Sequence, residues 1–223
     1  MIPAVTKHRV AAVNSVALLH LDGTNGSTTF TDVYAHTFSA NGGAVLTTAQ
    51  QKFGTASLDA TGSKFISTPD ATEFHFVGDF TVEGWYRPTS FADFNAVFGH
   101  RGSGSIFDSI VILVGATGKL RVQGSNNGSS WGYDQTSVAT MTLNTWSHFA
   151  AVRSGSTITC YLDGTGFGAA ALSGTLNQFG AAMTIGADAI SPGLFAAGQI
   201  DEFRFSNVAR YTSNFTPAGP FTF

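Results

Sequence analysis

Carboxylates are the first side chains to test for chemistry, because cleaving a glycosidic bond needs two of them around one substrate atom. The closest acidic pair in the sequence is Asp201-Glu202. Neighbours along a strand point to opposite faces, so these two cannot both reach one bond. Glu83 stands alone in the segment Phe80–Arg87, and Asp79 precedes it by four positions. The histidines, at 8, 20, 36, 75, 100 and 148, form no short metal-binding spacing with one another or with Cys160. No serine has an identifiable base partner in the sequence, and the glycine-rich stretches lack the lysine and following helix of a phosphate loop. The expectation is a protein that is not an enzyme. Sugar recognition is better served, since it asks for exposed rings beside amides, hydroxyls or carboxylates. Two loops offer that mixture. In one, Trp131 and Tyr133 stand near Asn126, Asn127 and Asp134; the other brings Phe91, Asp93, Phe94 and Asn95. A plainer role for Trp131 is to cap an open end of the fold or to contact another subunit, and both loops could be surface spacers.

Composition narrows the setting. Apolar residues make up 43% of 223 residues, with 20 phenylalanines, which is enough to bury one sizeable core. Charged residues are only 11%, so the surface must be built from Ser, Thr, Asn, Gln and Gly, as suits a particle or an extracellular setting. The net charge of −3 and the lack of a basic tract beyond Lys7-His8-Arg9 argue against nucleic acid as a partner. One cysteine, Cys160, excludes an intrachain disulfide, and its place in an alternating segment predicts a buried, inert thiol. No apolar run is long enough to span a membrane. The basic residues 7–9 followed by an apolar stretch imitate a signal peptide, but Asn14 interrupts the run and a first strand reads better there.

The elements that would carry these residues are short and alternate with period two. Trp146, His148, Ala150 and Val152 share one face of their segment, and Ile158, Cys160 and Leu162 share one face of the next. Ser154-Gly155 and Asp163-Gly164 predict tight hairpins, and Gly115–Gly118 links two further runs. No long helical stripe is present. The fold class expected is all-β, a two-sheet antiparallel jelly-roll sandwich.

Several segments, in order, resemble the laminin-G-like branch of the concanavalin A-like lectin and glucanase jelly rolls. They are Leu18-Leu-His-Leu-Asp-Gly23, Lys52-Phe-Gly-Thr-Ala-Ser-Leu58, Asp79-Phe-Thr-Val-Glu-Gly-Trp-Tyr-Arg-Pro88, Asn144–Arg153, Tyr161-Leu-Asp-Gly164, Thr184-Ile-Gly186 and Gly198–Phe205. The resemblance covers residues 16–210 and implies that the first and last core strands lie side by side. It also makes Trp85 and Trp146 packing residues, and it lacks the family's hydrolytic pattern of alternating acids. Through it, calcium becomes the one plausible metal, with Asp22, Asp32, Asp201 and Glu202 as candidate ligands. The alternative is that Asp22 serves its turn while Asp201 and Glu202 bond to Arg204 or Arg210. The ending from Val208 to Pro217 is similar to endings of bacteriophage versions of the domain. With an apolar arm over residues 1–15 and a tail over 211–223, this implies a virion structural or decoration protein on the particle surface. Such a protein would form a homo-oligomer, a trimer by preference, with the arm on other virion proteins and the tail on the domain or a neighbour. The alternative is a carbohydrate-binding adhesion module that recognises host or environmental glycans at a cell surface.

Overall fold

The computed structural model describes residues 14–91, 94–100, 107, 109–177, 180–188 and 193–222. Residues 1–13 of the expected arm, and Asp93 of the second loop, lie outside them. The described residues form two eight-stranded antiparallel sheets packed face to face and a small two-stranded sheet at 187–188 and 194–195, with no α-helix among them. The strands are β1 (Ser15–Leu19), β2 (Phe30–Thr31), β3 (Thr37–Asn41), β4 (Val45–Thr47), β5 (Ser57–Asp59), β6 (Phe65–Thr68), β7 (Phe80–Pro88), β8 (Phe94–His100) and β9 (Ile110–Gly115). They continue as β10 (Lys119–Gly124), β11 (Tyr133–Thr140), β12 (Ser147–Ser154), β13 (Thr157–Leu162), β14 (Thr165–Ala171), β15 (Met183–Ile185), β16 (Ala187–Asp188), β17 (Leu194–Phe195) and β18 (Gly198–Ser206). The first sheet runs β14-β13-β12-β7-β18-β5-β4, with β1 also on β18; the second runs β11-β10-β9-β8-β15-β6-β3-β2. The jelly-roll sandwich read from the sequence is the observed fold. The expected neighbourhood of the first and last strands is also present, with Ala17 opposite Phe205 and Leu19 opposite Phe203.

Alternation decides which residues form the core. Val82, Tyr86, Phe149, Ile158, Cys160, Phe203 and Phe205 enter it from the first sheet, and Val97, Phe98, Ile110, Ile112, Val114, Leu120 and Val122 from the second. Phe98 and Phe203 stack across the layer with centroids 5.6 Å apart. Both expected tight hairpins form: Ser154 pairs with Thr157, so the first turns at Gly155-Ser156, one residue later than Ser154-Gly155, and Leu162 pairs with Thr165 across Asp163-Gly164. The second turn needs positive φ at both central residues, and Asp163 and Gly164 supply 49° and 75°.

The outward face of the first sheet is closed by the chain itself. Tyr211 and Phe215 stack at 3.5 Å and lie against Ala150, Val152 and Tyr161. Phe221 packs on Trp85 and Leu18. Beneath them Glu83 is fully buried, and it accepts from Arg204 Nε at 2.9 Å, Arg204 Nη2 at 2.7 Å and the Tyr211 hydroxyl at 2.9 Å. Burial alone would raise its pKa, but the hydrogen bond to His148 and the charge of Arg204 hold it below the usual carboxylate range. Arg204 reaches on to the Thr222 carbonyl at 2.8 Å, so the buried ion pair also fastens the end of the tail.

Candidate functional site

The outward face of the second sheet is where side chains from both predicted loops meet. Strand register places Ala96, Leu113, Arg121 and Thr136 in one row across β8 to β11, and Gly99, Val111, Gln123 and Asp134 in the next. Odd positions of β10 face outward, because Leu120 and Val122 are in the core. Arg121 donates from Nε at 2.8 Å and Nη2 at 2.6 Å to the two oxygens of Asp134, a forked pair that fixes both groups. Gln123 adds its Nε2 to Asp134 at 3.1 Å. The hydrogen bond from Arg121 holds the Asp134 carboxyl below its ordinary range, and the same bond raises the guanidinium. Arg121 also lies 5.5 Å from the ring centroid of Phe94, a residue 37% exposed. A hollow of about 600 Å³ opens beside them, lined by Phe94, Gly115, Ala116, Thr117, Lys119, Arg121 and Thr136.

The other predicted residues take different places. Trp131 is half-buried against Val111 and Leu113, next to the row that holds Gln123, with its ring 4.9 Å from that of Phe107. Asn127 is exposed but its Oδ1 accepts the N–H groups of Ser129 and Ser130, so it shapes the turn; Asn126 reaches the Ser173 carbonyl. Two expectations are corrected. Tyr133 faces the core, 2% exposed, with its hydroxyl on the Gly168 carbonyl at 2.8 Å and beside the Cys160 sulfur at 3.1 Å. It is the odd-numbered neighbour of outward Asp134, and alternation puts the two on opposite faces. Asn95 is likewise buried, donating to the Ser90 carbonyl, and Phe91 packs on the core edge above Gly118. Lys119, Arg121, Gln123 and Thr136 were missed as site residues. The polar-apolar alternation of β10 was their signal, but the partner strand that completes the site could not be read from it.

The four carboxylates considered for calcium are already engaged by N–H donors. Asp32 accepts Leu18 N–H at 2.7 Å with one oxygen, and Tyr34 N–H, His36 N–H and His36 Nδ1 with the other. Asp201 takes Lys52 N–H at 2.6 Å, Phe53 N–H at 3.0 Å and Glu202 N–H at 2.9 Å. Glu202 meets His20 Nδ1 and Phe221 N–H, both at 2.8 Å. Asp22 accepts the Thr55 N–H and hydroxyl and the Ala56 N–H. These carboxylates thus serve as acceptors for the fold, and of their oxygens only Asp22 Oδ2 meets no donor among the described residues. Among the described residues no group of three or more His, Cys, Asp or Glu side chains is placed to hold a metal. The same contacts give Asp201 and Glu202 a structural role: they tie the 50–56 loop and the tail to β18. Burial pushes the Asp201 carboxyl up to about 7, against the pull of the Phe53 and Lys52 N–H groups, with Glu202 adding to the rise.

Comparison with known proteins agrees with this fold. No curated protein sequence matches the chain. Among solved structures, domain 4 of AbnA, an extracellular GH43 arabinanase from Geobacillus stearothermophilus in complex with arabinotriose, superposes with a TM-score of 0.67 at 17% identity, covering 88% of this chain and 93% of that one. The binding domain of botulinum neurotoxin serotype G superposes at 0.64 and 8% identity, covering 89% of this chain and 49% of that one. Botulinum neurotoxin type C, in a structure concerned with its interaction with two ganglioside molecules, gives 0.62 and 11% identity, covering 89% and 49%. The chain thus spans about half of each toxin chain. These likenesses concern the fold. The sequence itself matches the laminin-G-type profile described as concanavalin A-like lectin/glucanases superfamily over residues 59–213, well over half its length, and the chain belongs to that family.

Proposed function

We propose that this domain is a non-catalytic carbohydrate-binding module that uses the outward face of β8 to β11. The observation that carries the reading is the exposed Phe94 residue held beside the Arg121–Asp134 fork, at the margin of a sheet face whose centre, Ala96, Val111 and Leu113, is covered by Trp131 and Leu194. A ring gives a flat apolar seat for a sugar face, while a fixed guanidinium and carboxylate offer donors and acceptors to its hydroxyls. The pair is pre-organised, so little side-chain entropy is lost on binding. Support also comes from the arabinotriose and ganglioside named for two structures of the same fold. Catalysis finds no footing here: Glu83 is sealed beneath the tail, and Asp201 and Glu202 are strapped to backbone N–H groups.

A virion-surface role is a finer reading of the same module, and it drew on the two chain ends. Residues 1–13 lie outside the described residues, and Tyr211, Phe215 and Phe221 are taken up by the chain's own sheet. The glycan reading therefore stands first. Saturation-transfer NMR against soluble oligosaccharides, arabinotriose included, tests it. Transfer from at least one sugar, with affinity falling about tenfold in Phe94→Ala, is expected from the worth of one aromatic contact. An affinity unchanged in that variant removes this face as the site.

A further inference from the structure

Among the described residues, the lysines and arginines other than Lys119 all have partners. Lys52 lies 4.2 Å from the Trp85 ring centroid, and Lys64 bonds Asp59. Arg87 donates to Gln199, Arg153 to backbone carbonyls, Arg204 to Glu83 and Arg210 to Ser206 and Ser15. Arg121 is forked on Asp134. The Lys119 side chain alone among them makes no hydrogen bond, ion pair or ring contact, and it lines the hollow next to Phe94. In a chain with so few charges and a net charge of −3, an uncommitted ammonium in a concave site is not explained by folding. Among the described residues that line the hollow there is no carboxylate, and there are two threonine hydroxyls, Thr117 and Thr136.

We infer that the hollow selects acidic sugars, with the carboxylate of a uronic or sialic acid unit held by Lys119 beside Arg121 and the sugar ring set against Phe94. This inference rests on the glycan-binding reading of the same face and deepens it. Among the described residues Asp134 neutralises Arg121 and Lys119 is left with no counter-charge, so they offer close to one net positive charge, which matches one carboxylate rather than a densely sulfated chain. The hollow is open to solvent but bounded by the Phe94 ring and the Gly115–Gly118 turn. A charge-assisted contact there is worth more than one on a flat surface.

The test compares sialyllactose with lactose, and a galacturonic acid trisaccharide with galactotriose, by titration calorimetry at low ionic strength. The acidic member of each pair should bind about tenfold more tightly or better, as one charge-assisted hydrogen bond supplies. The preference should shrink in about 0.5 M NaCl, where exposed charges are screened. Lys119→Gln should bring the acidic-to-neutral ratio close to one, and Lys119→Arg should restore most of it. Equal affinities within each pair, or a ratio that survives Lys119→Gln, overturns the inference while leaving the module a glycan binder. Binding to sulfated lactose in preference to sialyllactose overturns the choice of a carboxylate. Absence of binding to all four sugars, with the arabinotriose panel also silent, removes the glycan reading along with it.

Discussion

Asp201 shows how a buried carboxylate can be essential to a fold without being chemically active. Its two oxygens gather three backbone N–H groups, two of them from the loop that carries Lys52 and Phe53 across Trp85. Those donors would otherwise be unpaired beneath the loop, at a cost of about 1–3 kcal/mol each. The arrangement also carries a pH dependence. With its pKa raised to about 7 from the ordinary range near 4, the folded protein holds a proton at Asp201 that the unfolded chain gives up. Stability from this group is therefore greatest below about pH 4 and falls as pH rises towards 7. Glu202, whose pKa is also raised by burial, acts in the same direction. In Asp201→Asn the amide nitrogen cannot accept, so the variant should be less stable at every pH, yet its stability should fall less between pH 4.5 and 7.5. Urea unfolding at those two values measures the slope, and a slope equal to that of the parent would show that Asp201 is ionised throughout.

Hairpin turns carry the clearest sequence signals, and two of them behave differently for a reason that only the packed structure shows. Gly155 and Gly164 both sit at positive φ, 60° and 75°. A Cβ on Gly155 would meet nothing within 4 Å, whereas one on Gly164 would strike the Phe215 carbonyl oxygen of the tail. Gly155→Ala should cost only the backbone strain, about 1 kcal/mol. Gly164→Ala should cost that strain and also displace Phe215, whose N–H donates to the Gly164 carbonyl at 3.0 Å, for a total of about 3 kcal/mol. Thermal denaturation of the two variants side by side checks the contrast, and equal losses would refute the tail contact. The strands themselves were legible because Ile158, Cys160 and Leu162, or Leu120 and Val122, alternate strictly with polar residues. The tail was not legible as a cover, since Tyr211, Phe215 and Phe221 follow neither a strand nor a helix period. The same limit applies to the binding face. Phe94 and Asp134 could be named as polar or aromatic loop residues, but Arg121 joins them only through the pairing of β10 with both β9 and β11. Tyr133 was misplaced because its loop-like surroundings hid the start of β11, where period two turns it inward.

The molecule as a whole is two-sided, and the two sides divide its tasks. One outward sheet face is shut by an aromatic strap over a buried ion pair; the other keeps a ring, a fork and an unpartnered lysine in reach of solvent. Closing the first face is a matter of stability. Without the strap two apolar patches would be bared, Ala150, Val152 and Tyr161 in one and Leu18 and Trp85 in the other, and exposed apolar area of this kind drives association. Phe221 is 5% exposed and lies 4.3 Å from the Arg204 guanidinium, so Phe221→Ala should cost about 3 kcal/mol by loss of burial and of the contact over the charge. Deleting residues 207–223 should cost more, about 5 kcal/mol or above from three rings of roughly 1.5–3 kcal/mol each, which approaches the whole stability of a domain. The truncated chain should therefore bind hydrophobic dyes and associate, while Phe221→Ala should stay folded with a lowered Tm. Because the strap and the β8–β11 face lie on opposite sides of the core, Phe221→Ala should also keep the oligosaccharide affinity of the parent. Dye binding, sedimentation and sugar titration on the same preparations separate the two roles. A loss of sugar affinity in folded Phe221→Ala would mean that the strap and the binding face are coupled through the sandwich, and a monomeric, dye-silent truncation would mean that the strap covers nothing that needs covering.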